Sequence, residues 1–299
     1  MRRHLSIFIR GMAMGAADLV PGVSGGTIAL ITGIYDPLLQ AISSINLTLL
    51  RVLRSEGLAS GWRSINGSFL LALAAGIGTS IIGLSGILHH LLEHERTLLY
   101  AFFFGLVASS IPLIGREVQK WNGVAIGAFL FGAALTFAIG SLPPLSIEPG
   151  YLYLFGCGAL AACAMILPGI SGSFILLLLG VYSPVIAAIK SYDVVTVAVV
   201  GIGAITGLLG FSRLLRRWLE TSRNGMMALL SGFLLGSLQA LWPWKENAML
   251  LYTHSDGRET WLQTNAWPQS EALWGCLIWT LVGSAIVIGM HRIAQHSSS

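Results

Sequence analysis

The chain has 299 residues, of which 55% are apolar and only 10% charged. A soluble domain carries roughly a quarter charged residues, so this composition excludes a water-soluble globular surface and implies a polytopic membrane protein. The formal net charge of +4, from 17 Lys and Arg against 13 Asp and Glu, follows from basic loops on one membrane face and calls for no nucleic-acid partner.

The first apolar stretch, 5–42, carries a helix-breaking loop near its middle: Pro21, Gly22, Val23, Ser24, Gly25, Gly26, Thr27. It predicts two helical arms meeting at a break, either crossing fully or dipping in as a re-entrant hairpin. Both cases return the chain to the side it left. Arg10 interrupts the first apolar run, so a cleavable signal peptide is not expected. Asp18 lies three residues before Pro21. An intramembrane carboxylate is costly and is a functional-site hypothesis by default. Two roles suit it: carrying a proton coupled to transport, or orienting the loop by accepting backbone N–H groups. A plain helix cap near the membrane edge is the bland alternative. On a straight helix Arg10 lies about 12 Å from Asp18, too far for contact.

A cytoplasmic loop is expected over 43–68, then full spans at 69–92, 98–115 and 123–141, each near the roughly 20 apolar residues a bilayer crossing needs. His89, His90, Glu93 and His94 resemble a metal cluster, but no second cluster completes a tetrahedral site. They read as interfacial histidines, and no metal is expected.

The second half repeats the first. A broken stretch, 151–189, carries Pro168, Gly169, Ile170, Ser171, Gly172, Ser173 and Phe174, and Gly33, Tyr35, Pro37, Ala41 and Ile42 are answered at the same offset by Gly180, Tyr182, Pro184, Ala188 and Ile189. Met165 stands where Asp18 stands in the first copy. Spans follow at 194–212, 224–244 and 272–290. The outer loop 245–271 is flanked by Trp242, Trp244, Trp261, Trp267 and Trp274, which suit an interfacial aromatic belt, as do Trp62, Trp121 and Trp218 on the other side. Cys157, Cys163 and Cys276 lack paired spacing and read as small buried hydrophobes.

With the N-terminus in the cytoplasm, only Arg96, Lys190, Lys245 and Arg258 of the 17 basic residues fall outside, a strong positive-inside signal. Both termini are then cytoplasmic. Each half (1–145 and 146–299) is one broken hairpin plus three spans, and three is odd, so the halves form an inverted repeat. The expected fold is an all-α polytopic membrane protein. In transporters, interrupted apolar segments at corresponding positions of two halves mark the substrate site.

Inside a bilayer every backbone polar group needs a partner, so such breaks persist only where protein, water or a ligand satisfies them. A helix starting after a break points free N–H groups at it, which favours an anion, phosphate in particular. The expected headgroup site comprises Pro21, Gly22, Ser24, Gly25, Gly26 and Thr27 from one half and Pro168, Gly169, Ser171, Gly172 and Ser173 from the other. Arg10, Arg116 and Lys190, at apolar boundaries, are candidate headgroup cations. Each is also an ordinary interfacial anchor. Nothing matches a Walker loop, a Rossmann fingerprint or a nucleophile elbow. No cofactor and no ATP hydrolysis are expected.

The run Met14 to Ala29, with Asp18, Pro21, Gly22, Ser24, Gly25, Gly26 and Thr27, resembles the signature of the polyprenyl-phosphate transporter family (PopT). Leu167 to Ser173, with Gly180 and Tyr182, is similar to that family's second motif. The resemblance covers nearly the whole chain. It implies an inner-membrane translocase, not an enzyme, returning undecaprenyl phosphate from the outer to the cytoplasmic leaflet for cell-envelope glycan synthesis. The partners it implies are the lipid and the bilayer, and a homo-oligomer is compatible with it. The competing readings are a small-anion transporter and a membrane polyprenyl-diphosphate phosphatase. The phosphatase loop carries an Arg after its Ser, where this chain has Gly25 and Gly172. Without such a clamp, phosphoryl-transfer charge would go poorly stabilised.

Overall fold

The computed structural model describes residues 2–20, 22–145, 147, 149–253, 259–268 and 272–296. Of the expected site, Pro21 lies outside the described residues, as does Arg258 of the outer loop.

The first broken stretch folds as α1 (Arg2–Asp18), α2 (Gly25–Ile31) and α3 (Tyr35–Ser43). Next come α4 (Leu47–Glu56), α5 (Leu58–Ser64), α6 (Gly67–His94), α7 (Arg96–Gly115) and α8 (Gly123–Ser141). The second broken stretch is α9 (Tyr151–Ile166), α10 (Gly172–Leu178) and α11 (Tyr182–Lys190), then α12 (Val194–Thr221), α13 (Arg223–Ser237), β1 (Lys245–Thr253), β2 (Glu259–Asn265) and α14 (Leu273–His296). Helices α6, α7, α8, α12 and α14 are long and apolar enough to cross a membrane. The chain is a mostly helical, multi-pass membrane protein.

The two broken stretches share their backbone geometry. Helices α2 and α10 both have 7 residues, and α3 and α11 both have 9. Gly22 and Gly169 take φ of +87° and +81°, and Gly33 and Gly180 take +72° and +71°. These left-handed values suit only glycine without strain. The returning arm is therefore no straight helix. A 7-residue helix spans about 10 Å, and α10 meets α11 at a bend of 107°, so neither α10 nor α11 crosses a bilayer alone.

Helix α1 lies along α6, and α9 lies along α12 in the same way. The other long helices exchange partners between halves: α14 packs along α7, α8 packs along α13, and α7 meets α13 at the centre. Side-chain caps set several starts. Asn122 accepts the Ala125 N–H at 2.9 Å for α8, and Asp193 accepts the Thr196 N–H at 3.2 Å for α12.

Three expectations change. The span expected at 224–244 ends as a helix at Ser237 and gives way to turns, and Pro243, which offers no N–H, keeps the helix from resuming through it. The outer loop contains an antiparallel hairpin, with Lys245 opposite Asn265 and Thr253 opposite Glu259. The loop 43–68 is two short helices, α4 and α5. They expose Leu47, Leu50, Leu58 and Trp62 near Arg51, Arg54 and Arg63, a composition suited to lying in a membrane surface.

Candidate functional site

The two breaks meet. Ser24, the N-cap of α2, donates its hydroxyl to the Leu167 carbonyl at 3.0 Å, and the Gly169 N–H donates to Thr27 Oγ1 at 3.0 Å. Gly26 is what allows the approach: a Cβ there would stand 2.6 Å from the Ile166 carbonyl oxygen. Both glycine turns also press on the end of α13, Gly22 near Ala240 and Leu241, Gly169 near Phe233 and Ser237.

The breaks are alike in backbone and unlike in hydrogen bonding. In the first, every N–H that opens α2 has an acceptor. Asp18 Oδ1 takes Gly25 at 2.7 Å, Ser24 Oγ takes Gly26 at 3.1 Å, and the Ser24 carbonyl takes Thr27 at 2.9 Å. Ser24 and Thr27 are buried, as is all of α2. A carboxylate already sits where an anion would bind. In the second, Met165 replaces Asp18, and no side chain caps α10. Among the described residues, no acceptor takes the Gly172 or Ser173 N–H. The Ser171 and Ser173 hydroxyls lie 2.9 Å apart, and α10 has no buried residue.

The candidate cations stay apart from the breaks. Arg10 sits on α1 without a described partner, Lys190 is exposed at the end of α11, and Arg116 is exposed just after α7. His89 pairs with Glu93 at 3.1 Å, and His90 stacks on His94 at 4.3 Å, all on one exposed helix surface. Among the described residues no group of side chains is placed to hold a metal. Cys157 and Cys276 are buried, and all three cysteines are free.

The sequence reading missed a polar cluster at one end of the molecule. Arg223 Nη1 donates to Asp36 Oδ2 at 2.8 Å and Nη2 to Glu117 Oε2 at 3.1 Å. Beside it, Arg216 Nη1 donates to Ser43 Oγ at 3.2 Å and Arg213 Nη2 to the Ile45 carbonyl at 2.7 Å. Together they tie α3 to α12 and α13. One signal was available: Asp36 corresponds to Ser183 in the second copy, so only the first carries the acid. At the opposite end, Lys245 Nζ donates to the Gln239 carbonyl at 3.0 Å and to Asn265 Oδ1 at 2.6 Å. Burial first, and then the nearby Arg96 guanidinium, together push the Lys245 ammonium down to about 8.

Residues 14–259 match the model of the undecaprenyl phosphate translocase-like family. A polyprenyl-phosphate transporter of Vibrio cholerae serotype O1 is 41% identical over 98% of this chain and 97% of its own length. One from Staphylococcus aureus is 32% identical over 79% of this chain and 85% of its own. No solved structure matches. The chain belongs to the undecaprenyl phosphate translocase-like family, whose members named here are transporters and not enzymes.

Proposed function

We propose that this chain is an inner-membrane transporter of undecaprenyl phosphate, moving it from the outer to the cytoplasmic leaflet by alternating access of two inverted-repeat halves, 1–145 and 146–299. The relatives' names support the substrate class. The observation that carries the site is the unequal state of the two breaks. The second offers free Gly172 and Ser173 N–H groups and two hydroxyls, and the first holds its own carboxylate. A phosphate headgroup therefore binds first at Ser171, Gly172 and Ser173. The first break, Gly22 to Thr27, becomes available when Asp18 takes a proton, which removes the negative charge that would repel phosphate and weakens the hold on Gly25. Phosphate and carboxylate compete for the same kind of N–H donor, which is how Asp18 couples a proton to the lipid. The polyprenyl tail stays in the bilayer, so only the headgroup needs a polar path.

The polar cluster supports alternating access. Under the positive-inside orientation, with both termini cytoplasmic, Asp36, Glu117, Arg213, Arg216 and Arg223 lie at the cytoplasmic end. There α3 is docked on α12, whereas α11 is not docked on α6, its counterpart. This supports a state closed toward the cytoplasm, with α10 reached from the outer side.

The test is undecaprenyl-phosphate translocation in proteoliposomes with the native chain, Ser171→Ala/Ser173→Ala and Asp18→Asn, with and without a pH gradient. Native transport lost in the serine variant supports the headgroup site. Absence of lipid movement by well-folded native protein, with uptake of a small phosphate ester instead, would move a small-anion transporter to first place.

A further inference from the structure

At the end that carries Arg223, the last turn of α7, the α7–α8 connection, α8 and α13 line an open cavity of about 410 Å³. Its walls are apolar. Pro112 lines one side, and Trp121 and Phe129 pack edge to face at 5.6 Å on another. Two polar groups break this lining. Arg116 is exposed and its guanidinium has no ion-pair or hydrogen-bond partner among the described residues, although its neighbour Glu117 is engaged by Arg223. Ser231 is fully buried, and its hydroxyl has no partner among the described residues. The buried helical serines Ser110 and Ser237 bond back to carbonyls of their own helices, and Ser80 on α6, which also lacks a partner among the described residues, does not line this cavity. A buried hydroxyl without a partner is costly, so Ser231 marks a position that a ligand oxygen would complete.

An unpaired guanidinium beside an aromatic, apolar wall matches a phosphate attached to a hydrocarbon chain. The guanidinium fork takes phosphate oxygens, and the chain covers Trp121 and Phe129. We infer that this cavity binds a lipid phosphate, separately from the paired breaks, with Arg116 as the headgroup cation and Ser231 as an inner hydroxyl donor. The inference rests on the transport reading only for placing the cavity at the cytoplasmic leaflet. Two sources present the same chemistry: the polyprenyl phosphate after crossing, and a resident glycerophospholipid.

Native mass spectrometry of the full-length chain in detergent distinguishes them, with undecaprenyl phosphate in one arm and phosphatidylglycerol in the other. Arg116→Gln is expected to weaken retention of one bound lipid at least tenfold in at least one arm, Ser231→Ala severalfold, and Arg116→Lys less than Arg116→Gln. Loss confined to undecaprenyl phosphate assigns the site to the transported lipid, and loss confined to phosphatidylglycerol assigns it to a resident phospholipid. Arg116 is exposed, so its substitution is expected to leave the melting temperature unchanged, which the same samples check. Equal retention of both lipids by the native chain and Arg116→Gln overturns the site. Arg116-dependent binding without any transport by the native chain would sink the transport reading and leave this site standing.

Discussion

The Asp18 carboxylate accepts the Gly25 N–H at 2.7 Å, reaching across the break to hold the first residue of α2. In the second half Met165 stands at that position and no side chain caps α10. One side-chain difference therefore turns two equal backbones into one occupied and one vacant set of donors. Asp18→Leu, which removes the acceptor, is expected to lower stability by about 1–2 kcal/mol, read as a fall in melting temperature. Asp18→Asn keeps a carbonyl acceptor and is expected to melt close to the native chain while losing the response of transport to a pH gradient. A pH response preserved in Asp18→Asn would remove Asp18 from the coupling.

The serines at the two breaks should separate into structural and functional roles. Ser24 is buried between Gly26 and Leu167, so Ser24→Ala leaves a buried donor and acceptor unpaired. It is expected to cost about 1–3 kcal/mol in a denaturation measurement. Ser171→Ala/Ser173→Ala removes one buried and one exposed hydroxyl that pair with each other, leaves no protein partner unpaired, and is expected to melt close to the native chain while translocating lipid at least tenfold more slowly. The reverse pattern would place the headgroup at the first break.

Gly26→Ala tests the contact between the halves. The added methyl would meet the Ile166 carbonyl at 2.6 Å, and overpacking of this kind typically costs about 1–3 kcal/mol. The melting temperature is expected to fall, and the Ser24–Leu167 contact to open, read as faster hydrogen exchange at Gly169. Unchanged exchange there would mean that the halves absorb the added methyl without separating at this point.

Arg223 bridges Asp36 and Glu117 with all three side chains about half exposed. Such pairs contribute only about 0–1 kcal/mol each to stability, so Arg223→Gln is expected to melt normally. Its effect should fall on access. With Ser173→Cys in a background where Cys157, Cys163 and Cys276 are replaced by Ala, a membrane-impermeant thiol reagent is expected to label the introduced thiol from the outer side. Adding Arg223→Gln should shift labelling toward the cytoplasmic side. Labelling unaffected by Arg223→Gln would show that the cluster is not a gate.

Lys245 gives a pH signature outside the membrane. Its pKa is lowered from 10.5 to about 8 in the folded chain. Between those values the unfolded chain binds more protons than the folded one, so stability rises with pH across this window. Melting temperature is expected to climb between pH 8 and 10, and Lys245→Met should flatten that climb. A slope identical in Lys245→Met would assign the titration to another group.

Local chemistry along the chain determined where the backbone breaks and where it crosses. Pro, Gly and Ser runs at Gly22–Gly26 and Gly169–Gly172 stop helices wherever they occur, and apolar runs such as those of α6 and α12 need only length and composition to span. The second copy of the break was legible for the same reason, down to Gly33 and Gly180, whose left-handed turns belong to single residues. The hairpin after Lys245 and the early end of α13 were obscured because an apolar, Trp-rich run reads alike as helix end or strand.

Only the tertiary structure decided which donors remain free. Ser24 meets Leu167 from 143 positions away, and Arg223 meets Asp36 from 187. The exchange of partners that sets α14 along α7 and α8 along α13 is likewise invisible in any local window. Hydrogen-bond satisfaction depends on which helices pack together, so two loops of nearly equal sequence became one closed and one open set of N–H groups.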